Sequence, residues 1–303
     1  MPNQFRTFHS ALVSALLLGV SALGQGTGTI HGVITDPSGA GLVGAQVTAT
    51  LTGRGTTRTV TSDAQGAYVI PLLPVGAYQI TIEAKGFKTF VQQGVDLAAN
   101  ENSRVGATLQ VGSLTESVTV TAEAPLVDSR SSVMGTLIDS RRVLELPMNG
   151  RSIIGLAVLL PGASQVSAPQ TFTQDRSGPT VSMSGSRGAQ NLFLFDGAPF
   201  NALFRNTGLN YPPPDALQEV KVLTNSFSAE YGRNAGSVFN VVTRSGSNQV
   251  HGSLWEFLRN QSLNARNFFA GPTLPQLIQN QFGGTGGGPL RKDKLFVFGS
   301  YEA

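Results

Sequence analysis

The 303 residues contain no cysteine, only three histidines and a single tryptophan. Without cysteine, disulfides, thiolate catalysis and cysteine metal sites are all excluded. The histidines, His9, His31 and His251, stand apart, and no His-x-x-Glu or His-Glu-x-x-His spacing supplies a zinc site. A phosphate loop, a dinucleotide fingerprint and a Gly-x-Ser-x-Gly elbow are also missing. The run Gly283-Gly284-Thr285-Gly286-Gly287-Gly288 has neither the fingerprint spacing nor a following lysine. Charge is scarce, at 13% of residues against roughly 25% in ordinary soluble domains. The net charge is +3, and Arg151, Arg187, Arg205, Arg233, Arg244, Arg259 and Arg266 are scattered singly, so no basic stripe suits nucleic acid. On these gaps the chain is expected not to be an enzyme, to need no cofactor or metal, and not to bind nucleic acid.

What the chain does have is glycine, 36 residues of it, and short β-prone runs between turns. At the start, Arg6 and His9 precede ALVSALLLGVSALG and the small-x-small site Ala22-Leu23-Gly24, the pattern of a secretory signal peptide over 1–24. The apolar run falls short of the roughly 18 to 20 residues that span a bilayer, which disfavours the alternative of a membrane anchor. No later segment forms a transmembrane helix, so any membrane contact has to come from a β-barrel.

Residues 28–110 show alternating rows closed by turns, which predicts a seven-stranded-type β-sandwich. Ile30, Gly32 and Ile34 precede the turn Asp36-Pro37-Ser38-Gly39; Ala45, Val47, Ala49 and Leu51 follow; Asp63-Ala64-Gln65-Gly66 leads into Ala67 to Ile70. Tyr78, Ile80, Ile82 and then Val105, Ala107, Leu109 supply the last inward rows. Asp63 opens an Asp-x-x-Gly turn and is read as a turn residue, not a calcium ligand. Residues 111–128 form a linker around an extended heptad, Glu116, Ser117, Val118, Thr119, Val120, Thr121 and Ala122, bounded by Gly112-Ser113 and Pro125. Such a segment can add through its main chain to a partner sheet, or serve as an ordinary sandwich strand.

Residues 129–250 alternate short strands and helices, a mixed α/β pattern. A strand is expected over Val133 to Ile138, a helix over Arg141 to Leu146 capped by Asp139 or Ser140, and an apolar helix over Ser152 to Leu160. Asp196-Gly197 marks a hairpin turn. Asp215 is expected to cap a helical turn through Ala216, Leu217 and Gln218, with strands over Val220 to Leu223 and Ser237 to Thr243. In 251–303, Ser253 to Asn260 and Lys294 to Glu302 approach the roughly 9 to 11 residues of a tilted membrane strand. Leu295, Val297 and Tyr301 share one face there, Ser300 and Glu302 the other, and Phe296 and Phe298 blur the alternation.

Several of these phrases resemble one family. DALQEVKVL followed by AEYGRNAGSVFNVVTRSGSNQVHG is similar to the end of the plug domain of TonB-dependent outer-membrane transporters of the Oar-like subgroup, with Ser237 where the family usually has glycine. LPMNGRSIIGLAVLLPG, the segment around Arg187, Asp196 and Gly197, and QFGGTGGGPLRKDKLFVFGSYEA also resemble that family. Gly32 to Phe87 resembles the carboxypeptidase-regulatory-like, transthyretin-type domain.

The resemblance implies a mainly β protein: the sandwich, then a plug over 129–250, then the first two strands of a transmembrane barrel from 251 that about 22 strands close. It therefore implies an N-terminal piece of a larger transporter. It also implies a Gram-negative outer-membrane location with lipid around the barrel, an unidentified transported ligand, and the energy-coupling protein TonB as partner, with 116–122 as its docking box. Asn149, Gly150, Arg151, Arg187, Asp196, Gly197, Glu230, Tyr231, Gly232 and Arg233 match the plug motifs. Of these, Arg151, Arg187, Glu230 and Arg233 are expected to lock the plug to the barrel wall, the alternative being solvated loop charges. The rival reading from another class is a secreted β-sandwich adhesion or carbohydrate-binding protein in which 28–110 is the working module.

Overall fold

The computed structural model describes residues 26–113, 117–121, 134–145, 151–165, 181–203, 206, 208–232, 234–263, 265 and 276–303. The signal segment, Glu116, Ala122, Asn149, Gly150 and Arg233 lie outside the described residues.

The first unit is a sandwich. Strands β1 (Thr27–Thr35), β2 (Gln46–Leu51), β3 (Thr57–Thr61), β4 (Ala67–Pro74), β5 (Gly76–Glu83), β6 (Thr89–Leu97), β7 (Asn102–Arg104), β8 (Ala107–Thr108) and β9 (Ser117–Thr121) build two sheets. One runs β4-β1-β7 with β8 also on β1, and the other runs β3-β2-β5-β6-β9. Ile30, Ile34, Val47, Ile80 and Ile82 are fully buried between them, each contributing about 1.5–3 kcal/mol by leaving water. The turn aspartates close their own turns: the Asp36 carboxylate accepts from Ser38 N and Ala40 N, and that of Asp63 from Gln65 N and Ala67 N. Gly32 is needed where β1 meets the 105–107 segment, because a Cβ there would lie 1.8 Å from the Val105 carbonyl oxygen. The buried Tyr68 hydroxyl donates to that same oxygen at 2.6 Å.

The middle unit is a mixed five-stranded sheet in the order β10-β15-β16-β13-β14. Its strands are β10 (Met134–Asp139), β13 (Leu192–Phe195), β14 (Ala198–Pro199), β15 (Leu217–Asn225) and β16 (Val238–Thr243). A separate pair, β11 (Ala163–Gln165) and β12 (Val181–Met183), lies beside it. Helices α1 (Ser140–Glu145) and α2 (Ile153–Ala157) add Val143, Ile153, Ile154 and Leu156 to a core with Val220, Val222, Phe239 and Val241. Asp139 caps α1 as expected, its carboxylate accepting from Arg142 N at 2.9 Å. The Phe193 and Phe239 rings stack across β13 and β16 with centroids 4.8 Å apart. Asp196 and Gly197 take φ of 49° and 83°, the left-handed pair that a tight hairpin requires.

One expectation is displaced. The helical turn after the prolines is a 3-10 turn over Pro214–Ala216, and β15 already begins at Leu217. Proline presets the first positions of the turn, and the ladder with β16, starting at Leu217↔Thr243, claims the rest. Asp215 therefore sits inside the turn and caps nothing.

The last unit has three antiparallel strands where two are expected: β17 (His251–Asn260), β18 (Ile278–Arg291) and β19 (Leu295–Glu302). The middle strand runs through the glycines, which pair on both sides. Glycine serves there as room for neighbouring rings. A Cβ on Gly283 would lie 2.6 Å from the Trp255 ring, and one on Gly287 would lie 2.7 Å from the Phe298 ring. Phe296 and Phe298 do not blur the alternation: they alternate with exposed Leu295 and Val297, and Phe298 stacks on His251.

Replacing Gly32 with alanine is expected to cost the sandwich at least about 1–3 kcal/mol, since backbone and not a flexible side chain blocks the new methyl. Urea unfolding of the variant should show a lower midpoint with unchanged slope; an unchanged midpoint would mean that β1 and Val105 separate freely.

Candidate functional site

Arg151 stands just before α2 with a φ of 54°, a left-handed conformation that costs a non-glycine residue about 1–2 kcal/mol. That backbone turn sends the side chain out of the middle unit and under the three-strand sheet. Its guanidinium pairs with Asp215, from the 3-10 turn before β15. On the other side its Nε lies 3.3 Å from Glu302 Oε2, within ion-pair range but without an acceptor aligned for a hydrogen bond. The guanidinium carbon lies 4.3 Å from the centroid of Phe257 and 5.3 Å from that of Trp255. Glu302 also accepts from Trp255 Nε1 at 3.2 Å and from Gln281 Nε2 at 2.9 Å.

All three charged side chains are nearly out of water, with 11%, 13% and 21% of Arg151, Asp215 and Glu302 exposed. One cation facing two carboxylates leaves an excess negative charge, which the indole and amide donors help to hold. A weakly hydrated, planar cation between rings and carboxylates suits arginine and not lysine. The cluster does no covalent chemistry. It fastens the middle unit to all three strands of the sheet, through Trp255 and Phe257 on β17, Gln281 on β18 and Glu302 on β19.

A second set of contacts runs along the crossing from β16 to β17. The Arg244 Nε donates to the Leu217 carbonyl at 3.0 Å. Gly246 passes so close to β18 and β19 that a Cβ would meet Val297 O at 2.4 Å. The sandwich reaches the same place: Arg54 Nε donates to Gly246 O at 3.1 Å, its guanidinium lies over Phe296, and Asn248 N donates to Gly53 O at 2.9 Å.

A third set joins the sandwich to β15. The turn after β6 is grasped by two side chains from one strand: Ala99 N donates to Glu219 Oε1 at 2.7 Å, and Lys221 Nζ donates to the carbonyls of Ala99 at 2.7 Å and Asn100 at 3.2 Å. Burial pushes the Glu219 carboxyl up, opposed in part by the Ala99 N–H and by Lys221.

Of the residues singled out in the sequence, Arg151 forms the buried bridge between the middle unit and the three-strand sheet. Arg187 and Glu230 are exposed, and neither forms an ion pair with the sheet among the described residues. Asp196 does more than turn the chain: its carboxylate accepts from Thr243 N and Thr243 Oγ1, both at 2.8 Å, pinning the hairpin to the end of β16. Tyr231 packs edge-on to Phe227, and Gly232 ends the short turn Ala229–Tyr231. Ser237 is fully buried, donating from N and Oγ to Asn191 Oδ1 at 3.0 Å. Ser117 to Thr121 is an extended strand, β9, laid parallel on β6. The sequence reading missed Glu302, Trp255 and Gln281 as partners of Arg151, and Glu219 and Lys221 as a joint. A signal existed in LQEVKVL, where charges interrupt a strand that is otherwise buried.

Three family models match the chain in order: "Carboxypeptidase regulatory-like domain" over 29–110, "TonB-dependent Receptor Plug Domain" over 141–238 and "Outer membrane beta barrel domain" over 242–303. The TonB-dependent transporter Oar of Myxococcus xanthus is 33% identical over 308 residues, 96% of this chain and 28% of that protein. The siderophore receptor PirA of Acinetobacter baumannii is 27% identical over 204 residues, 62% of this chain and 25% of that one. The PirA crystal structure matches at a TM-score of 0.41 and 26% identity, over 55% of this chain and 24% of that one. The chain thus spans about a quarter of the length of these relatives.

Arg151→Leu should strand two buried carboxylates and destabilise the junction by about 3–5 kcal/mol. Adding Asp215→Asn should recover part of that loss and Arg151→Lys should not replace the fork, both read by denaturant unfolding and by protease nicking of the middle unit. Equal stability of Arg151→Leu and the parent would remove the bridge as a fastening. Glu219 gives a pH signature. Its raised folded pKa means the folded chain holds the proton more tightly, so stability rises as pH falls from that raised value toward the ordinary carboxylate range near 4.5. Glu219→Gln should flatten this part of a stability-versus-pH curve, and an unchanged slope would show that Glu219 is not its source.

Proposed function

From membership in the TonB-dependent receptors, which the sandwich, plug and barrel models mark in sequence order, we propose that this protein works in energised uptake of a ligand across a Gram-negative outer membrane. The supporting observation is the Arg151 bridge, which ties the middle unit to the three barrel strands through buried charge. In this reading 28–110 is an accessory sandwich, 111–128 the coupling linker, 129–250 the plug and 251–303 the entry into the barrel wall.

The outer face of the last three strands suits lipid. Leu254, Leu258, Val297 and Tyr301 are exposed on it at 91%, 59%, 50% and 66%, with Glu256 between the two leucines, while Trp255, Gln281 and Glu302 face the plug. No helix among the described residues is long and apolar enough to cross a membrane.

The coupling protein TonB is the proposed partner, and 116–122 the segment it grips. Pulling that segment loads β10 next, because among the described residues it is the following strand and lies at the edge of the plug sheet, paired only with β15. Edge pairing yields before the central strands do, whereas Arg151 keeps the α2 side on the wall. PirA is a siderophore receptor, so siderophores are the candidate ligand class to screen first.

The test is capture of the TonB C-terminal domain by the intact protein in outer membranes. Val118→Pro removes a main-chain donor from the segment and should abolish capture while membrane insertion persists. Undiminished capture would place the coupling site elsewhere.

A further inference from the structure

The proposed coupling strand is already occupied. β9 runs parallel to β6 through five register pairs, Thr89↔Ser117, Phe90↔Val118, Val91↔Thr119, Gln92↔Val120 and Gln93↔Thr121. It closes the sheet, with β6 on one side and no further strand beyond it among the described residues. Val118 is half-buried opposite Phe90, which packs on the sandwich core, while Thr119 on the other face is exposed.

Resting on the reading that 116–122 grips TonB, we propose that the sandwich is a latch: it stores the coupling strand on its own sheet, and TonB engages only the fraction that has peeled away. Capture by strand addition draws affinity from the main chain and selectivity from alternate side chains. While β9 is docked, one backbone edge belongs to β6, and the apolar side chain at 118 faces the sandwich instead of a partner. A parallel ladder is slightly weaker per residue than an antiparallel one, and five pairs make a short one, so the docked state is reversible. The sandwich cannot follow the departing strand, because Glu219, Lys221 and Arg54 hold it against the plug and the barrel entry. Apparent affinity for TonB is then the intrinsic affinity reduced by the free fraction, and whatever loosens the β6 edge sharpens coupling.

The chain has no cysteine, so a staple can be placed cleanly. Neighbouring strands lie about 4.8 Å apart, inside the Cα separation a disulfide spans. Val91→Cys with Thr119→Cys pins the strand on its exposed face, and Thr89→Cys with Ser117→Cys is a second staple at its start. In the intact protein, oxidation should form the cross-link and lower capture of the TonB C-terminal domain at least tenfold, and a reductant should restore it. Equal capture by oxidised and reduced protein overturns the latch, since the partner then adds to the outer edge of a docked strand; failure of both pairs to cross-link overturns it too. If the reduced form of one pair fails to bind where the parent binds, the other pair decides. Absence of capture by the parent itself is a different result, which removes the coupling role of 116–122 and the latch with it.

Discussion

One buried cation sets the arrangement of everything around it. Arg151 cannot leave its place without exposing Asp215 and Glu302 as unpaired charges in a nearly dry space, a penalty larger than most single contacts in a domain. The residue accepts a left-handed backbone to reach there. The turn before β15, the start of α2 and the three barrel strands are consequently fixed to one point. Such a fastening is strong when intact and fails sharply when one partner is withdrawn.

The glycines of β18 make this fastening possible. A side chain at 283 would occupy the space of the Trp255 ring, and that ring both faces the Arg151 guanidinium and donates to Glu302. A flat stretch of backbone therefore supports a wall of aromatic rings. The same logic recurs at Gly246, where the crossing chain lies against the strands. Small residues in this protein mark close approaches of backbone, not only turns.

Much of the fold was legible in the sequence because its signals are local. The alternation of Ile30, Ile34, Val47, Ile80 and Ile82 identified buried faces, Asp139 marked a helix start, and Asp196-Gly197 a hairpin. The extra barrel strand was not legible, since a glycine run has no propensity for a strand and gains its place only from neighbours. Asp215 was misread for a related reason: a carboxylate after prolines looks like a cap, and only the distant Arg151 gives it another use. Arg187 and Glu230 share the motif character of Arg151, but motif membership says nothing about which side chains come to face the wall. The joint at Glu219 and Lys221 depends on a partner 120 residues away and left only the trace of charge inside an apolar strand.

β15 holds the sandwich at its beginning, through Glu219 and Lys221, and lies inside the plug sheet, between β10 and β16. It is thus a shared axle. One strand therefore carries two attachments, and displacing it would strain the turn after β6 together with both of its own ladders.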